Sequence, residues 1–228
     1  MRRVLPLLMI AGLLLGCGKT HPVKVVIDPE FQSGSLDRIA VLPFLSALHH
    51  TADPDGVAPR TFDQMFRDEL DERKDYNWIS PTSVEYAIGR EKLDDDYEAF
   101  LDTWVKKHQA DPAFLARLGE ILQADGVLIG TVELWQQDEV DVRETATPTT
   151  YVGATVMIFD VRDGKVLFEA ADEDFLEGAR SENRDQSIVR SGSGKIYKDA
   201  GGSAYQAPPP EEVAIKVVAA LVSSIPAR

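Results

Sequence analysis

The chain has 228 residues, with 24 basic against 38 acidic side chains and a formal net charge of −14. A surface of that sign repels DNA, RNA and anionic lipid headgroups, which argues against nucleic-acid binding. Its 44% apolar content is that of a packed domain, and its charge is spread along the chain, so an intrinsically disordered polyanion is also excluded.

Arg2 and Arg3 precede Val4–Leu15, a 12-residue stretch that is almost wholly apolar and closes on Leu14-Leu15-Gly16-Cys17. A positive start, a short apolar core and small residues before a cut predict a secretory signal over residues 1–16. A membrane-spanning helix needs about 20 apolar residues, so the stretch is short for a permanent anchor. Leu14-Leu15-Gly16-Cys17 resembles the lipobox of bacterial lipoproteins, whose cysteine takes up a diacylglyceryl group before cleavage on its N-terminal side. The residue types suit that chemistry. A thiol is the nucleophile, and Leu14 and Gly16 fit an apolar peptidase groove with a small position beside the cut.

Cys17 is the only cysteine of the chain. No internal disulfide is therefore available, and lipidation gives an otherwise oxidisable exported thiol a use. At about 0.8 kcal/mol per buried methylene, two or three acyl chains such as palmitate hold a protein at a bilayer essentially permanently. Gly18, rather than an aspartate, follows the cysteine. By resemblance to lipoproteins of Gram-negative bacteria, that favours the periplasmic face of the outer membrane. An ordinary signal with a chance cysteine, or an uncleaved anchor, is the plainer alternative. Removing Arg2 and Arg3 takes the net charge from −14 to −16.

Residues 17–36 read as the lipidated cysteine and a tether, whose apolar run Val23–Ile27 can add a strand to a sheet edge. Fully extended, such a tether reaches on the order of 60 Å. Residues 37–228 read as one periplasmic domain. It opens at Arg38-Ile39-Ala40-Val41-Leu42-Pro43-Phe44, a continuous apolar run that predicts a strand covered on both faces. After a polar loop over 46–58, Phe62, Met65, Phe66 and Leu70 fall at helical spacing, with Thr61 and Gln64 as the expected capping box. Tyr76–Ile79 predicts a short strand, and Ser80-Pro81 an N-cap and first turn of a second helix.

Tyr97, Phe100, Leu101, Trp104 and Val105 form the stripe of a third helix, with Asp94–Asp96 at its start and Lys106 and Lys107 at its end, matching the helix dipole. Core packing explains the aromatic members better than a partner groove does. Asp111-Pro112 opens a fourth helix carrying Phe114, Leu115, Leu118 and Leu122. Strands follow: Gly126–Trp135, a polar hairpin end over 136–148, Tyr151–Val161, a type I′ turn at Arg162-Asp163-Gly164-Lys165, and Val166 to about Phe175. Residues 177–210 are rich in Gly, Ser and Pro and predict a long loop, functional or unordered. Glu211–Ser224 is a final amphipathic helix. Helices and strands mixed in this way, with an antiparallel meander near the end, predict an α/β sandwich.

Three motifs carry a resemblance to a known group. They are Arg38–Phe44, the phrase Ala124-Asp125-Gly126-Val127-Leu128-Ile129-Gly130-Thr131-Val132, and the hairpin Phe159-Asp160-Val161-Arg162-Asp163-Gly164-Lys165-Val166-Leu167. Their order and spacing resemble the periplasmic domain shared by curli-exporter lipoproteins, lipoprotein activators of penicillin-binding proteins and exopolysaccharide-export lipoproteins, over roughly residues 36–225. The resemblance implies a mixed central sheet with surrounding helices, similar to an anticodon-binding domain, and a non-enzymatic role in an envelope assembly. It departs from the curli exporters at Gln136–Glu144, which is too charged to face lipid as a pore hairpin.

Candidate sites are few. Residues 177–210 carry Arg180, Arg184, Arg190, Lys195 and Lys198 against four acidic residues, a positive island that reads either as a docking element for an acidic face of another copy or for another envelope component, or as a surface insertion with no role. Ser191-Gly192-Ser193-Gly194-Lys195-Ile196 lacks the first glycine and the Ser or Thr of a phosphate loop, with Val189 and Ile196 in those places. His49, His50, Asp53 and Asp55 are close in sequence but lack metal-ligand spacing, so neither metal nor cofactor is expected. No nucleophile elbow is present, and His21 and His108 stand alone, His108 as a helix end. The expected partners are a bilayer through acylated Cys17 and envelope proteins or further copies. A lipid-anchored hydrolase and a small-ligand-binding periplasmic protein are the rival readings.

Overall fold

The computed structural model describes residues 22–29, 31, 36–49, 52–140, 146–178, 188–190, 196–198 and 207–228, the pieces at 188–190 and 196–198 by backbone alone. The expected signal over 1–16, Cys17, His50, Arg180, Arg184 and Lys195 lie outside the described residues.

Strand β2 (Arg38–Val41) runs parallel to both β4 (Asn77–Ile79) and β5 (Gly126–Asp138). Its alternating side chains enter two different cores. Ile39 and Val41 pack with α1 (Val57–Glu72) and α5 (Pro210–Ser224), while Ala40 and Leu42 pack with α2 (Pro81–Glu91), α3 (Asp94–Lys107) and α4 (Pro112–Leu122). That double burial is why this strand reads as an unbroken apolar run. Strands β5, β6 (Thr149–Asp160) and β7 (Val166–Glu177) form the expected antiparallel meander. Strand β1 (Lys24–Ile27) joins β7 antiparallel at one edge of the sheet, and β3 (Leu45–Ser46) pairs β5 in parallel. The order is β1-β7-β6-β5-β2-β4, a mixed seven-stranded sheet with helices on both faces. The fold is therefore the mixed α/β class that the pattern predicts. Ile39, Val41, Val127, Ile129, Val156 and Ile158 all lie in its inner strands, and Phe66 and Leu118 are fully buried against them.

Several local expectations are corrected. Helix α1 begins at Val57, so Thr61 and Gln64 lie inside it and make no capping box. The cap comes from Asp53, whose carboxylate accepts from the Val57 N–H at 2.7 Å and the Ala58 N–H at 3.0 Å across left-handed Gly56. The turn after β6 is not type I′. Gly164 has φ 71° but Asp163 is not left-handed, and the Gly164 N–H reaches the Asp160 carbonyl at 2.9 Å around a wider loop. The Asp160 carboxylate, accepting from the Arg162 N–H at 2.8 Å, favours that wider form.

On α3, Phe100 and Trp104 are buried, but Leu101 is only half-buried and Val105 is 52% exposed, so the stripe is narrower than its five members suggest. Residues 177–210 are not loop throughout. Strands β8 (Ile188–Arg190) and β9 (Ile196–Lys198) pair with each other as a separate two-stranded ladder.

Candidate functional site

Helices α2, α3 and α4 cover only part of their face of the sheet. Their cover ends near Thr131, whose Oγ1 accepts a 3.1 Å hydrogen bond from the Trp104 indole N–H. Beyond that point β5, β6 and β7 run on, with no helix lining that face among the described residues. Their far ends, together with β1, line an open groove of about 430 Å³. Small residues make its floor: Gly153 and Ala171. At Gly153 even a Cβ would stand only 3.3 Å from the Leu134 Cβ, so the close approach of β5 and β6 there favours glycine. Tyr151 and Phe175, with ring centroids 5.9 Å apart, make an aromatic wall. The rim carries Glu133, Asp172 and Glu173 against Lys24. A bulge between Val132 and Leu134 turns the end of β5 beside it.

A second open depression, also about 430 Å³, adjoins the same stretch of β5 and is lined by His49, Trp135 and Gln137 among others. Together they leave the outer end of the sheet concave on two sides. Such a surface suits an extended segment of another molecule: small floor, aromatic wall, and acidic rim that favours cationic side chains.

A smaller cleft of about 30 Å³ lies between α1, β4 and α2, lined by Phe44, Asp63, Trp78 and Ser80. The Asp63 carboxylate accepts from the Phe44 N–H at 2.7 Å. Burial raises its pKa from 3.8 to about 6, against the lowering effect of that hydrogen bond. Burial likewise pushes Tyr97 up to about 12, with the carboxylates of Glu85 and Asp63 adding to it. The Trp78 indole N–H is buried with no hydrogen-bond partner among the described residues. A perturbed carboxylate in a cleft is a candidate acid or base. This cleft, however, has room for about one water molecule, whereas small-molecule sites usually occupy roughly 300–1,000 Å³. It is a packing feature of the helix–sheet junction.

Among the described residues, the histidine and aspartate candidates do not converge on one site. Asp53 serves as the α1 cap, and no group of three His, Cys, Asp or Glu side chains with metal-binding geometry occurs among the described residues. Val189 lies in β8 and Ile196 in β9, a strand-to-strand setting unlike the strand-to-helix setting of a phosphate loop. Arg190 and Lys198 sit on opposite strands of that ladder. His108 ends α3 in the left-handed conformation, as expected. The groove residues Glu133, Tyr151, Glu173 and Phe175 carried no motif. Each reads as an ordinary outward residue of an alternating strand, and no described helix is long and apolar enough to cross a membrane.

No family model matches the chain, and no curated protein matches its sequence. Among solved structures it is similar to the lipoprotein GNA1162 from Neisseria meningitidis, at 20% identity and TM-score 0.46, over 62% of this chain and 83% of that one. It is also similar to a PelC dodecamer from Paraburkholderia phytofirmans, at 17% identity and TM-score 0.44, over 90% of this chain and 98% of that one. A third likeness is to the LpoB C-terminal domain from Escherichia coli, at 12% identity and TM-score 0.34, over 61% of this chain and 84% of that one.

Proposed function

We propose that this chain is a lipid-anchored lipoprotein of the bacterial outer membrane, whose periplasmic domain binds or assembles envelope components without catalysis. The observation that carries this reading is the open, acid-rimmed groove at the outer ends of β5, β6 and β7. It is shallow, flanked by carboxylates and walled by two aromatic rings, which suits a cationic extended segment better than an enclosed substrate. Leu14-Leu15-Gly16-Cys17 supports the anchor, with the apolar stretch before it. The basic island Arg180, Arg184, Arg190, Lys195 and Lys198 supplies a second docking element, of opposite sign, for an acidic partner face.

The test uses the full chain in native membranes. Cys17→Ser should lose metabolic labelling by an alkyne fatty acid, because serine cannot replace the thiol in lipid transfer; undiminished label removes the anchor from the proposal. Glu133→Lys with Glu173→Lys should keep the melting temperature and lose co-purifying envelope proteins. If the same proteins are recovered in the same amounts, the groove is not the docking surface.

A further inference from the structure

Among the described residues, strand β1 is the sheet's outermost strand on the β7 side, and although it is short and flanked by Pro22 and Pro29, its middle is apolar. Natural edges are blunted by charge, proline or irregularity, because a row of outward N–H and C=O groups is a template for another strand. Here Val25, Val26 and Ile27 follow one another at 40%, 63% and 47% exposure. The pairing with β7 sets which backbone groups face outward. The Asp28 N–H donates to the Leu167 carbonyl at 3.0 Å, and Lys24, Val26 and Asp28 alternate with it in register. The N–H and C=O groups of Val25 and Ile27 therefore point away from the sheet.

We infer that β1 is a self-pairing edge, on which a second copy of this chain adds its own β1 antiparallel about a two-fold axis through Val26. The segment Lys24-Val25-Val26-Ile27-Asp28 reads as its own complement in that arrangement. Val25 faces Ile27 of the second copy, and these are the residues on both copies whose backbone groups point outward, so the hydrogen-bond parity is satisfied. Val26 faces its own equivalent. Lys24 faces Asp28 of the second copy, and the reverse, placing opposite charges across the seam on both sides of the axis. Sliding the register by two in either direction puts Lys24 or Asp28 opposite Val26 and loses both Lys24–Asp28 pairs. Asp28 already accepts the Lys165 ammonium at 3.0 Å, so the incoming Lys24 joins a carboxylate that the fold holds in place. Lys24 and Asp28 balance across the seam, although the chain carries −14. The inference does not rest on the groove or on the lipid anchor.

A seam of this length buries far less than the roughly 1,600 Å² of a standard stable interface, so a covalent trap reads it better than a dilution series. Facing residues at a non-hydrogen-bonded antiparallel position have Cα atoms about 4.5 Å apart, within disulfide range. Full-length Val26→Cys in native membranes under mild oxidation should therefore run as a disulfide dimer, with the linked 26–26 peptide identified by mass spectrometry. Val25→Cys lies off the axis on the other face and should remain largely monomeric. Adding Val25→Pro to Val26→Cys removes an outward donor that the fold itself does not use, and should abolish the cross-link with the melting temperature unchanged. No 26–26 peptide, equal trapping at 25 and 26, or a cross-link that survives Val25→Pro would each overturn the proposal.

Discussion

Asp63 is held by two opposing influences: burial disfavours its charge, and the Phe44 N–H favours it. Burial prevails, raising the folded pKa to about 6 from 3.8. Between those values the folded chain holds a proton that the unfolded chain has released. The group's contribution to stability is thus fully present below about pH 4 and is lost as pH rises through about 6. Asp63→Asn keeps an oxygen for the Phe44 N–H and removes the charge. The melting temperature of the variant minus that of the parent should be near zero at pH 4 and positive by a few degrees at pH 7.5; a difference that does not change with pH would contradict the burial of this carboxylate. A second residue, Gly130, is set by closeness of approach. A Cβ there would stand 2.4 Å from the Phe44 ring, which is itself wedged against Phe62 and Phe66 at 5.4 and 5.1 Å between centroids. Gly130→Ala should cost about 1–3 kcal/mol in chemical denaturation, the range of overpacked cores.

Among the elements, burial depth decides which truncations are felt. Leu118 on α4 is fully buried between the sheet and its helices, and Leu118→Ala should cost about 2–5 kcal/mol. Leu101 on α3 is half-buried, and Leu101→Ala should cost clearly less in the same urea titration. From sequence alone the two look alike, since each occupies a helical stripe position. The stripe gives the face of a helix but not how far that face reaches over the sheet. Strand β2 and helix α3 were legible for opposite reasons: one is apolar from Ile39 onward because both faces are covered, the other is periodic with charges ordered along its dipole. The α1 start was hidden because its capping carboxylate, Asp53, lies before a left-handed glycine and not beside the first turn. The groove was hidden for a deeper reason. Glu133 and Glu173 alternate with inward residues as any exposed strand positions do, and what leaves them beside a bare floor is that α2, α3 and α4 stop short of the outer sheet.

At the scale of the whole molecule, the described residues on either side of 179–206 are held at two fixed points. The Gly178 N–H donates to the Pro148 carbonyl at 2.7 Å, and the Pro208 carbonyl accepts from Gln137 Nε2 at 2.9 Å and from the Thr150 hydroxyl. Both ends are thus pinned beside the first residues of β6, close to one another. Between them, among the described residues, β8 and β9 pair with each other in a two-stranded ladder separate from the seven-stranded sheet. An isolated two-stranded ladder contributes little stability of its own. The loop-closure entropy of such a segment grows by about 0.6 kcal/mol for each doubling of its length, so replacing 181–206 by a short Gly-Ser linker removes about two doublings and should stabilise the domain by about 1 kcal/mol. A rise of a few degrees in melting temperature would mean that the domain folds without the segment. A fall would mean that the segment packs on the domain and belongs to its core. The same deletion removes Arg184, Arg190, Lys195 and Lys198 from a molecule otherwise dominated by carboxylates. If the melting temperature holds or rises while recovery of the membrane complex is lost, the positive island is a docking element; if both the fold and the complex persist, the island has no part in binding.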